Sequence, residues 1–167
     1  MGAEQGQIGR NDLVQPLGGL FVDSVLLADK CMEGYRRDLN GQDVEYLRGV
    51  MVSAANNVKL LEKKLDREQY EDLRRNVDDV SKALDKYLSR GDLLSDVAVS
   101  QLLFVTNYTA IVLSLLEEGH DYTDECLDVV PFAEQEAEKG FIELKEKLHE
   151  LRRARKYEKM RLSILYS

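Results

Sequence analysis

Apolar positions recur along this chain at intervals of three and four residues, the spacing that sets one side of an α-helix against a core. From 12 to 39 the stripe is Leu13, Leu17, Leu20, Phe21, Leu27, Cys31 and Tyr35, with Pro16 in the first turn, where its missing amide hydrogen costs little. A second stripe, over 43 to 65, carries Val44, Leu47, Met51, Ala54, Val58, Leu61 and Leu65. A third, over 67 to 90, carries Tyr70, Leu73, Val77, Val80, Leu84 and Tyr87. Neither Gly nor Pro separates the last two, so one rod from 43 to 90 is the alternative. The register decides against it, because the second stripe would continue at Glu68 and Asp72 and instead restarts at Tyr70. "LDREQY" also supplies Asp66 as a helix cap, Gln69 at the third helical position and Leu65 to pack onto Tyr70. The rod therefore breaks at Asp66.

Turn chemistry sets the remaining limits. Asn40 and Gly41 are expected to stop the first helix and Asp43 to cap the second; Gly91 stops the third, and Asp92 or Ser95 caps the fourth. The fourth helix, 93 to 118, contains "VAVSQLLFVTNYTAIVLSLL", 20 residues without a charge, and ends at Gly119. That length would cross a bilayer core of about 30 Å. Against a membrane span stand Ser100, Gln101, Thr106, Asn107, Thr109 and Ser114 within it, and flanks (Asp92, Asp96, Glu117, Glu118) that are acidic. We expect no span, but a helix surrounded by others.

The fifth helix, 129 to 164, is expected to take Asp128 as its cap and to hold Pro131 among its first residues, with a start at Thr123 and a kink at Pro131 as the alternative. Its stripe is Phe132, Phe141, Leu144, Leu148, Leu151, Met160 and Ile164. Residues 1 to 11, with Gly2, Gly6 and Gly9, read as a flexible leader. Short connections leave successive helices side by side. The expected fold is thus all-α: an antiparallel up-and-down bundle of four to five helices over 12 to 167, with an uncharged central helix and a long C-terminal one.

Composition agrees with this picture. The 167 residues include two Pro and no Trp, and the mean hydropathy is −0.38. Cys31 and Cys126 stand in no metal-binding or disulfide-scaffold spacing, and no secretory signal opens the chain, so a cytoplasmic location is expected.

One pattern calls for a test as chemistry. The two histidines, His120 and His149, each follow a glutamate by three residues, at Glu117 and Glu146. Two such units, with glutamates from two further helices, build the paired-metal site of ferritin-like bundles. Here Glu117 falls in the last turn of the fourth helix and Glu146 deep in an antiparallel fifth, roughly 20 Å apart along the axis at 1.5 Å per residue. One metal pair cannot bridge that distance, and Gly119 interrupts the first unit. The acidic units Glu68 with Glu71 and Glu118 with Asp121 are likewise too far apart to share magnesium. No phosphate-binding glycine loop is present. No cofactor and no metal are expected, and the chain reads as non-catalytic.

Charge supplies the last signal. The net charge is −8, yet "RRARKYEKMR", 152 to 161, sets six bases against one acid. The leading expectation is a protein that acts through protein contacts, as a homo-oligomer or a small subunit, with Leu148, Leu151, Met160 and Ile164 of the last helix as the contact stripe. The alternatives are nucleic-acid association through Arg152, Arg153, Arg155, Lys156, Lys159 and Arg161, and a carboxylate-metal enzyme. Gln101, Asn107 and Tyr108 in the uncharged helix either bond within the core or line a pocket.

Overall fold

A computed structural model describes residues 2–91, 94–119 and 129–166, with side chains from residue 12 onward. Five helices and no strand occur among them: α1 (Gly2–Arg36), α2 (Gly41–Leu61), α3 (Arg67–Arg90), α4 (Asp96–Glu117) and α5 (Val129–Leu165). Consecutive helices run antiparallel. The first four form a ring in which α1 packs on α2 and α4, and α3 on α2 and α4. α5 lies against α4 and α1, antiparallel to the former, so α4 has α1, α3 and α5 around it.

The uncharged helix fills the place its composition suggests. Of its 22 residues only Val97, Ser114 and Glu117 are exposed. It is long and apolar enough to cross a membrane by length and composition, and it is the one such helix among the described residues. Its position between three other helices is that of a bundle core helix. Its polar side chains bond internally: Tyr108 donates to Gln69 Oε1 at 2.9 Å, and Gln101 Nε2 donates to Asp79 Oδ2 at 2.8 Å. Thr106 Oγ1 lies 3.0 Å from Ser24 Oγ on α1. Asn107 is partly buried.

Two apolar layers make up the interior. One joins Leu13, Leu17, Leu61, Leu73, Tyr108 and Val129; the other joins Leu27, Cys31, Leu47, Leu84, Leu94 and Ala98. Between them sits a cavity of about 10 Å³, lined among others by Leu20, Ser24, Ala54, Val77, Ser81 and Val105. At that level α1 and α2 also share a polar contact, where Asp23 accepts from Ser53 Oγ (2.8 Å) and Asn57 Nδ2 (3.0 Å). Gly19 makes this possible, because a methyl group there would press into the Asn57 amide.

The helix limits follow local chemistry, with three corrections. The break at Asp66 is present: Asp66 accepts from the Gln69 amide, and Leu65 and Tyr70 are both buried. Gly91 and Gly119 take the left-handed conformation at φ 75° and 87°, which spares the strain a side chain would add. Ser95 caps α4. Asp43, however, does not cap α2. Asn40 does, and Asp43 is its reciprocal partner three residues on, accepting from the Asn40 amide while Asn40 Oδ1 accepts from the Asp43 amide. Since the cap falls at Asn40, α1 ends at Arg36 rather than Leu39. α1 also begins at Gly2 instead of residue 12; glycine costs a helix about 1 kcal/mol but does not forbid it. The third correction concerns Phe132, which is 65 % exposed while Ala133 and Ala137 are buried against the bundle. Small residues let the first turns of α5 approach closely, and Phe132 lies on the outward side. The expected cap at Asp128, and the alternative start at Thr123, fall outside the described residues.

Candidate interaction surface on the last helix

α5 is 37 residues long, about 55 Å at 1.5 Å per residue. α4, which it covers, has 22 residues, about 33 Å. The excess lies at the C-terminal end, because α5 starts beside the end of α4 and passes the start of α4 near Arg152. Every residue from Lys156 to Tyr166 is exposed.

Where the bundle ends, one side chain gathers three elements. Arg152 Nη1 donates to Asp96 Oδ1 on α4 at 2.5 Å, and Nη2 donates to the Leu94 carbonyl at 2.8 Å. The Tyr35 hydroxyl of α1 donates to the same carbonyl at 2.8 Å, and the Arg152 guanidinium lies 5.5 Å from the centre of the Tyr35 ring. The Arg152 guanidinium beside Asp96 holds that carboxyl below its usual range, against the opposing effect of partial burial. Burial pushes the Tyr35 phenol up. Arg155 pairs with Asp38, one turn further on.

The structure therefore divides the residues expected at contacts. Leu148 is 1 % exposed and belongs to the core, a correction to its place in the contact stripe; its neighbours there are internal because α5 is still docked at that point. Leu151 is partly buried. Met160 and Ile164 lie on the overhang, 56 % and 74 % exposed, and Tyr157, Leu165 and Tyr166 are exposed beside them. Of the six bases, Arg152 and Arg155 tie α5 to the bundle, and Arg161 pairs with Glu158 at 3.1 Å. Arg153, Lys156 and Lys159 are exposed. Among the described residues, hollows along this part of α5 are lined by α5 side chains alone.

The paired Glu-x-x-His pattern does not converge. His149 Nε2 lies 3.6 Å from Asp96 Oδ2 at the start of α4, whereas Glu117 closes the same helix about 31 Å away. Glu146 is exposed on α5, and His120 lies outside the described residues. No group of three or more His, Cys, Asp or Glu placed to hold a metal occurs among the described residues. The Arg152 clamp is the element missed in the sequence. Its signal was present, since Arg152 follows the buried Leu148 by four residues and so shares its core-facing side.

No protein family, curated protein or solved structure matches this chain.

Proposed function

We propose that this protein is a non-catalytic helical bundle that works through protein contacts, with the overhanging end of α5 as its contact element. The supporting observation is the helical segment past Arg155, which carries Tyr157, Met160, Leu162 and Leu165 exposed beyond the bundle. A helix whose large apolar side chains are left uncovered among the described residues gains by meeting another surface. The Arg152 clamp supports the same reading, because it fixes the direction in which the end projects. Phosphate binding through the same segment is less well supported, since Arg152 and Arg155 are already engaged by Asp96 and Asp38.

The test is removal of 156–167. Because those side chains contribute little to the bundle, the truncated protein should unfold within about 0.5 kcal/mol of the full chain, as exposed positions do. Its association, read by sedimentation velocity and by its performance as bait, should be lost. A truncated protein that keeps the same associations overturns the reading.

A further inference from the structure

The two apolar layers of the bundle draw unequally on α5. The layer at the end where α5 begins takes in Val129, Ala133 and Ala137. The other is assembled from α1, α2, α3, the turn before α4 and the first turns of α4, and among the described residues it holds none from α5. At that level the ring of four helices closes without the fifth. From Glu138 to Leu165, α5 has one buried residue, Leu148. Its other attachment is at the end of the bundle, where Arg152 bonds to Asp96 and to the Leu94 carbonyl and Arg155 pairs with Asp38. Asp38 is 87 % exposed, so its pair adds little and Arg152 carries most of this attachment.

Gly140, the one glycine of α5, stands between the segment held in the core and the segment held by Leu148 and Arg152. Apart from proline, glycine is the residue that a helix interior holds least firmly. We infer that α5 beyond Gly140 is a strap: it undocks from the ring as a unit by yielding at Gly140, while Val129 to Ala137 stay in the core and the first four helices stay folded. Arg152 is its latch. Opening changes what α5 presents. Phe141, Leu144, Leu148 and Leu151 fall within an arc of about 80° at 100° per residue, and Leu162 and Tyr166, both exposed, continue that arc on the overhang. The bundle thus covers the first part of one apolar face and leaves the rest outside, and undocking joins the two parts. The inference concerns how α5 is held and stands whether or not the overhang meets a partner.

Native-state hydrogen exchange of the full chain, read by mass spectrometry in increasing sub-denaturing urea, tests this. Most of a helix's stability in a protein comes from its packing, so amides of an undocked strap exchange. The expected result is protection at 141–152 at least about tenfold below that of α2 and α3, with little dependence on urea, because opening the strap exposes little surface. Val80→Ala, in the layer that α5 does not enter, weakens the ring whether the strap is docked or open. It should lower protection in α2 and α3 on the order of tenfold and leave 141–152 unchanged. Gly140→Ala, whose methyl group would meet Leu103 at an ordinary 3.7 Å, should raise protection at 141–152 about fivefold. Arg152→Ala should lower it about thirtyfold. If 141–152 exchanges with the rate and urea dependence of α2 and α3, or if Val80→Ala accelerates it equally, α5 opens only when the whole bundle unfolds and the strap is overturned. Unchanged protection in Gly140→Ala overturns the hinge, and unchanged protection in Arg152→Ala overturns the latch.

Discussion

Arg152 and Tyr35, separated by 117 positions in the sequence, meet where the bundle ends: the guanidinium stands 5.5 Å from the ring centre, and both side chains bond to the carbonyl of Leu94. This contact links α1, the turn before α4, and α5. Arg152→Ala should therefore lower stability by about 2 kcal/mol in urea unfolding, the range for a charged hydrogen bond to partly buried groups. Arg152→Lys should recover only part, since an ammonium cannot serve Asp96 and a carbonyl in one plane. Asp96→Asn should cost less, below about 1 kcal/mol, because its carboxylate is 41 % exposed and screened. Equal losses in all three variants would contradict the division of roles.

Asp43 predicts how stability responds to acid. Its carboxylate accepts from Arg37 at 3.0 Å, from the Asn40 amide at 3.0 Å and from Lys30 at 3.1 Å, and these hold it well below the usual carboxylate range. The folded-state value is depressed, so its contribution is complete above the unfolded-state value, about 3.9, and is lost as pH falls from there. Thermal melts of Asp43→Asn should lie below wild type at neutral pH, and the two should converge as pH falls below about 4. A constant gap down to the lowest pH would show that the acid dependence arises elsewhere.

Gly34 leaves room for the Tyr87 ring across the α1 and α3 surfaces: a methyl group at Gly34 would overlap the Tyr87 hydroxyl and come within 2.9 Å of Cζ. Alanine gains about 1 kcal/mol in helix propensity, whereas forced overpacking costs about 1–3 kcal/mol. Gly34→Ala should therefore destabilise on balance. Adding Tyr87→Phe should return part of the loss, the contact to Cζ remaining. Chemical denaturation of the two single variants and the double variant measures the coupling, and strictly additive changes would count against the overlap.

Burial pushes the Cys31 thiol up to about 12. Thiolate is the reactive form, so alkylation of Cys31 at mildly alkaline pH should be suppressed on the order of a thousandfold by ionisation alone. Peptide mass spectrometry after iodoacetamide treatment should find Cys31 modified only in denaturant. Rapid labelling of the native protein would mean that α1 opens locally.

The elements most legible in the sequence were those where a single local interaction decides the outcome. Asp66, Gln69 and the Leu65 to Tyr70 contact lie within six residues, and Gly91 and Gly119 need no distant partner. The uncharged run placed α4 at the centre because no other environment in a helical bundle suits it. Sequence pattern failed where tertiary distance decides. The stripe places Phe132 inward on α5, but close approach to the bundle selects Ala133 and Ala137 and leaves Phe132 outside. The basic run forms one continuous stretch in the sequence, although the end of the bundle falls within it and divides Arg152 and Arg155 from Lys156 onward. A one-dimensional stripe records which side of a helix is apolar, but not where along its axis the neighbouring helices stop.

The order of helices along the chain also has a consequence during synthesis. α4, the most apolar element, is complete before the ribosome has made any of α5, the helix that covers one of its sides. At about 5–20 residues per second, the 48 residues from Glu118 to Leu165 leave that side bare for seconds. During this interval the nascent chain presents a 22-residue apolar helix with the dimensions of a membrane segment. Chaperones and targeting factors thus meet a different molecule from the finished bundle, and the last helix ends their opportunity by arriving.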